Sequence, residues 1–101
     1  MKTIKWAVIG AGGIAKIRTI PAIVEYEGSE LVALMDNSEK VASEMGKEYG
    51  VPYFTSEEEM FRSVDFDAVY ISTPLMCHYD QAMLALKYGK HVLMEKPVAL
   101  T

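Results

Sequence analysis

Short apolar runs alternate along the chain with longer stretches in which apolar residues recur at helical spacing. Strand followed by helix, repeated, is the pattern of a parallel sheet whose strands are joined by crossover helices. Five runs are predicted as strands: Ile4 to Ile9, Leu31 to Met35, Pro52 to Thr55, Ala68 to Ile71 and His91 to Met94. The first is apolar with β-branched residues, as expected when both faces are covered by helices. The third carries its proline at an end, which places it at a sheet edge, where a missing N–H matters least.

The intervening stretches predict four helices. The first follows a glycine-rich turn, with Ile14, Ile17, Ile20 and Val24 on one stripe, and Pro21 is expected to break or kink it. The second is capped by Asn37 or Ser38, turns Val41, Ala42, Met45 and Tyr49 inward and stops at Gly50. Thr55, Ser56, Glu57 and Glu58 match a T-x-x-E capping box that opens a brief acidic helix. Glu57 to Glu59 read there as a solvated first turn favoured by the helix dipole, and no metal site is expected. Thr73 and Pro74 supply a cap and a first helical residue for the fourth helix, which is expected to bury Tyr79, Ala82, Met83 and Leu86 and to end at Gly89. After the fifth strand come Glu95, Lys96, Pro97 and a last fragment, VALT, so the α/β architecture is expected to break off there.

The densest chemistry lies between the first strand and the first helix. Gly10, Gly12 and Ala15 satisfy G-x-G-x-x-G/A in that context. The first glycine permits a tight turn, the second removes a side chain that would block a pyrophosphate, and the third small residue lets helix and strand approach. The helix N-terminus then offers free N–H groups to phosphate oxygens, with Gly13 adding freedom to the turn. Asp36 ends the second strand, 21 residues past Ala15, where an acid accepts hydrogen bonds from an adenosine ribose. Turn and acid together predict a Rossmann-like dinucleotide site. A carboxylate about 4 Å from a 2′-phosphate repels it by roughly 1 to 4 kcal/mol, and Asn37 and Ser38 bring no compensating cation, so NAD is expected over NADP. Ser72, Thr73 and Pro74 follow the fourth strand and Glu95, Lys96 and Pro97 the fifth, so a parallel sheet collects both groups at the edge that carries the glycines and Asp36.

Composition narrows the partners. With 101 residues the chain builds one domain at most. Its 14 acidic and 10 basic side chains leave a formal charge of −4 and no basic stripe, so no nucleic-acid partner is expected. No stretch approaches the length of a membrane span or reads as a signal peptide, and Cys77 has no disulfide partner and reads as core filling. The expected location is cytoplasmic.

With GAGGIA, Asp36, STPLMCHYDQAMLAL and GKHVLMEKPVALT in that order, nearly the whole chain resembles the cofactor domain of the glucose-fructose oxidoreductase, inositol dehydrogenase and rhizopine-catabolism (Gfo/Idh/MocA) family. GKHVLMEKP is the most specific part of the match. The resemblance implies that residues 1–101 form the N-terminal part of an NAD(P)-binding Rossmann domain, followed in the family by an α/β substrate domain that this chain does not contain. It further implies an oxidoreductase moving a hydride between nicotinamide and a carbinol carbon of a sugar, polyol or related compound. Gly10, Gly12, Gly13 and Ile14 would offer backbone to the pyrophosphate, and Asp36 would hold the ribose. Ser72, Thr73 and Pro74 would line the dinucleotide, and His78 matches the family's histidine on the next helix. Glu95, Lys96 and Pro97 correspond to the family's E-K-P, in which the glutamate lies by the nicotinamide ribose and the lysine reaches both cofactor and substrate, so Lys96 is the catalytic candidate. Leu75 departs from the asparagine that often follows T-P. Some relatives use the same parts for NAD-dependent glycoside cleavage, and a non-catalytic NAD sensor or regulatory module is the reading from a different class. An exposed sheet edge is expected to promote self-association or homo-oligomer formation.

Overall fold

A computed structural model describes residues 3–12, 19–72 and 75–94. The strands β1 (Ile4–Ile9), β2 (Ser29–Met35), β3 (Tyr53–Phe54), β4 (Ala68–Ile71) and β5 (His91–Met94) form one sheet in the order β3-β2-β1-β4-β5. Every pairing is parallel. The helices α1 (Ile20–Glu25), α2 (Glu39–Tyr49), α3 (Glu57–Ser63) and α4 (Leu75–Lys87) provide the crossovers. Because side chains alternate across a strand, β1 feeds two cores. Val8 joins Leu34 and residues of α1 and α2, including Ile20, Ile23, Ala42 and Met45. Ala7 and Ile9 join Met35, Val69 and Ile71 beneath Met60 and Phe61 of α3 and Ala85 of α4.

The second helix forms as its sequence predicts. The Ser38 hydroxyl accepts from Val41 N–H at 3.3 Å, and Gly50 closes the helix at φ 67°, a left-handed conformation that glycine adopts without steric cost. Gly46 allows close approach to the edge strand, since a Cβ there would lie 2.6 Å from Tyr53 Cδ1. Short β3 is indeed at the edge, and the Pro52 carbonyl accepts from Leu34 N–H. Gly89, at φ 71°, follows α4 as expected.

Three expectations are corrected. Ile23 rather than Val24 faces the sheet, Val24 being 50% exposed; Ile14 and Ile17 of the expected stripe lie outside the described residues, and with them the segment on which the expected break at Pro21 turns. The cap of α3 is Ser56, one residue later than the predicted Thr55 box, and its hydroxyl accepts from Glu59 N–H at 3.4 Å. The register S-x-x-E is equally present in the sequence, and the later start directs Met60 and Phe61 inward. The inward face of α4 is also rotated. Tyr79, Met83 and Leu86 are 73%, 50% and 61% exposed, whereas Gln81 and Ala85 are buried and Ala82 and Leu84 partly so. Apolar residues occur on both sides of this helix, so spacing alone did not single out the buried side. Cys77's side chain lies outside the described residues.

The amino ends of the strands are knitted by polar groups with structural work. Asp67 Oδ2 accepts from Lys5 N–H at 2.9 Å and its carbonyl from His91 N–H at 3.2 Å. The Lys90 ammonium donates to Phe66 O at 2.7 Å, lies 4.8 Å from the centre of the Phe66 ring and 3.8 Å from Asp65.

Candidate functional site

Parallel strands end on the same side, so the residues that follow them are gathered along one edge. Ile9 is level with Met35 on one side and with Ile71 on the other, and Ile71 is level with Met94. Gly10, Asp36 and Ser72 are therefore the first residues beyond three neighbouring strands. Main-chain hydrogen bonds hold them there. Gly10 N–H and Ala11 N–H both donate to Met35 O, at 2.8 and 3.2 Å, Ser72 N–H donates to Ile9 O at 2.8 Å, and Asp36 N–H to Phe54 O at 3.1 Å.

The two described glycines of the turn are required for different reasons. Gly10 has φ 86°, which an L side chain resists. At Gly12 the constraint is space: a Cβ would stand 3.3 Å from Val41 Cγ1 and 3.7 Å from Asp36 Oδ2. The bare Cα lets the turn rest against α2 and the carboxylate.

Asp36 is half-buried, and both of its oxygens are engaged. Oδ1 accepts from Ser38 N–H at 2.9 Å, and Oδ2 from Gly12 N–H at 3.2 Å. The first bond is an Asx turn, in which an aspartate binds the backbone two residues on. Ser38 thus orients the carboxylate with its amide while capping α2 with its hydroxyl. A carboxylate has about four lone-pair positions, so the described partners leave two for further donors. A ribose diol needs such acceptors and a diphosphate needs a bare turn that it can approach closely, and the acid and Gly12 lie side by side. The residues present fit a dinucleotide.

Of the predicted site residues, the structure brings Gly10, Gly12, Asp36 and Ser72 to one edge. Gly13, Ile14, Thr73, Pro74, Glu95, Lys96 and Pro97 lie outside the described residues, as does the side chain of His78, whose backbone belongs to α4. Sequence reasoning missed the Ser38 amide as a partner of Asp36 and Val41 as the wall behind Gly12. The D-x-S spacing was the available signal for the first; the second depends on how α2 packs. Other grooves lie elsewhere. One of about 390 Å³ is lined by Trp6, Ile23, Tyr70 and Leu93 among others, and one of about 550 Å³ opens at the amino ends of the strands beside Asp67 and Lys90. Among the described residues no three His, Cys, Asp or Glu side chains converge as metal ligands, and no helix is long and apolar enough to cross a membrane.

A parallel sheet in this order, with a glycine turn after β1 and an acid after β2, defines a dinucleotide-binding Rossmann domain. The chain belongs to the Gfo/Idh/MocA family: residues 4–101 match the model described as an oxidoreductase family with an NAD-binding Rossmann fold. It is 41% identical over 98 residues to 1,5-anhydro-D-fructose reductase of Ensifer adhaerens, covering 96% of this chain and 29% of that protein. It is 37% identical over 97 residues to scyllo-inositol 2-dehydrogenase (NADP(+)) IolU of Bacillus subtilis, covering 95% and 29%. The crystal structure of scyllo-inositol dehydrogenase from Lactobacillus casei with bound NAD(H) and scyllo-inositol superposes with a TM-score of 0.86 at 34% identity, covering 99% of this chain and 30% of that one. The chain spans about three-tenths of the length of the curated relatives it matches.

Proposed function

We propose that this chain is the cofactor half of an NAD-dependent oxidoreductase acting on a hydroxyl-bearing carbon of a sugar or polyol. The observation that carries the proposal is the 3.2 Å hydrogen bond between the Gly12 amide and Asp36, which sets the phosphate turn and the sugar-binding acid in one site. The substrate class is supported by the relatives, which are named for an anhydro sugar and for an inositol.

When bound, NAD supplies a nicotinamide carbon that takes or gives up a hydride. The chain's own residues bind and orient. Gly10 and Gly12 shape a turn that the diphosphate can approach closely, Gly13 and Ile14 offer it main-chain amides, and Asp36 accepts from the adenosine ribose. Ser72, with Thr73 and Pro74, lines the middle of the dinucleotide, while Glu95, Pro97 and His78 border its nicotinamide end. Lys96 carries the positive charge that stabilises a developing alkoxide and shares in moving the hydroxyl proton.

NAD is preferred to NADP because the Asp36 carboxylate occupies the place a 2′-phosphate would need. One relative is named for NADP(+), so the preference belongs to the residues of this chain and is tested on them. In calorimetry NAD is expected to bind more tightly than NADP, and Asp36→Ala to weaken NAD about tenfold, the worth of a hydrogen bond to a charged group, while narrowing the gap to NADP. Equal affinity of the unaltered chain for the two cofactors overturns the preference. With a relative's substrate domain supplied, Lys96→Ala is expected to lower NADH formation from polyols by about a hundredfold or more. Tight NAD binding without turnover under any complementation would favour a sensor or regulatory module instead.

A further inference from the structure

The role assigned to an acid after β2 is to receive the ribose, yet in this structure Asp36 also reaches the phosphate turn. The geometry points to Asp36 as a positioning residue that clamps the Gly10–Gly12 turn for the diphosphate, independently of its contact with the sugar. This deepens, and rests on, the dinucleotide reading above.

Three successive amides of the turn are tied to the end of β2. Gly10 N–H and Ala11 N–H share Met35 O, and Gly12 N–H meets Asp36 Oδ2. The first two anchors are main chain and survive any substitution at position 36. The third is a side chain and does not. That side chain is itself held, through Oδ1, by the Ser38 amide at the head of α2. Val41 of the same helix backs Gly12, at 3.3 Å from where a Cβ would be. Gly12 is therefore fixed between a carboxylate and a helix. A carboxylate suits this task because each oxygen can accept from one amide and still accept from a hydroxyl. Asparagine cannot: with its oxygen on Ser38, its NH₂ faces the Gly12 N–H, donor against donor.

The clamp and simple electrostatics predict opposite signs. Removing a negative charge near a diphosphate should tighten its binding by Coulomb's law. Removing a clamp should loosen it, because the turn must then be ordered at the expense of binding.

The test is calorimetry of the unaltered chain, Asp36→Ala and Asp36→Asn with ADP and with 2′,3′-dideoxy-ADP, which keeps the diphosphate and lacks both ribose hydroxyls. The expected result is that both variants bind dideoxy-ADP about five- to tenfold more weakly than the unaltered chain, as loss of a charge-assisted hydrogen bond implies, and that Gly12 amide hydrogen exchange accelerates in both. Dideoxy-ADP binding that is unchanged or tighter in both variants, with ADP alone weakened, overturns the clamp and leaves the ribose contact standing. Failure of the unaltered, folded chain to bind ADP, dideoxy-ADP or NAD overturns the dinucleotide reading and the clamp with it. Should Asp36→Ala not fold, the near-isosteric Asp36→Asn decides alone.

Discussion

On the face of the sheet that carries α1 and α2, two halves differ sharply. Over β2 and β1, Leu34 and Val8 are fully buried beneath Ile20, Ile23, Ala42 and Met45. On β4 and β5, Tyr70 and Leu93 share that face by register, but Leu93 is 53% exposed and with Trp6 and Tyr70 lines an open groove. On the opposite face α3 and α4 cover Val69 and Ile71 of the same β4. Among the described residues, β4 is thus sealed on one side and only partly covered on the other, where Tyr70 is half-buried. An apolar residue in a parallel strand marks a surface that can be covered, and the neighbouring helices determine whether it is.

The largest test of that contrast compares leucines on the same face. Leu34→Ala is expected to cost about 2 to 5 kcal/mol, as a large-to-small change in a closed core does. Leu93→Ala should cost less than about 1 kcal/mol, in line with a surface position. Urea denaturation of both variants measures the difference, and equal costs would mean that the open half is covered in solution. Next in size is Gly46→Ala, which places a Cβ within 2.6 Å of the Tyr53 ring and should destabilise by about 1 to 3 kcal/mol through overpacking. Adding Tyr53→Ala should recover much of that loss, and a cycle of the two measures the coupling.

A smaller effect belongs to the amino ends of the strands. Lys90→Met removes the donor to Phe66 O and should cost about 1 kcal/mol, the net worth of a typical hydrogen bond, read as a lower melting temperature. The smallest comes from Tyr49 on the roofed half. Burial first, then the neighbouring Glu48 carboxylate, raises its phenol above the ordinary value. A group whose proton is held more tightly in the folded state favours folding below its unfolded pKa and loses that contribution as pH rises through the folded one. Stability should therefore fall slightly as pH climbs past about 10, and Tyr49→Phe should remove that part of the decline in melts across this range.

The described part of the candidate site was legible because its parts are local. A tight turn demands Gly10 whatever surrounds it, and an acid at the end of β2 is read from the apolar run before it. The exit of α2 at Gly50 and its cap at Ser38 were equally plain, since each depends on residues within one helical turn. The buried side of α4 was not. Tyr79, Met83 and Leu86 are spaced as a buried stripe would be, and Ala82 and Ala85 lie on the side that packs. Helical period names candidate faces, and packing against the sheet and α3 decides between them. The cap of α3 was misread for a similar reason, as Thr55 and Ser56 each begin an acceptable box and only the burial of Met60 and Phe61 separates them.

By itself the sequence determined the alternation of strands and helices, the glycine turn and the acid at the end of β2, because backbone conformation and capping are set by near neighbours. Tertiary structure decided which half of a sheet face is roofed and which side of α4 is buried. It also decided that Asp36 lies against Gly12, because these outcomes depend on elements far apart in the chain competing for the same space and the same hydrogen-bond partners.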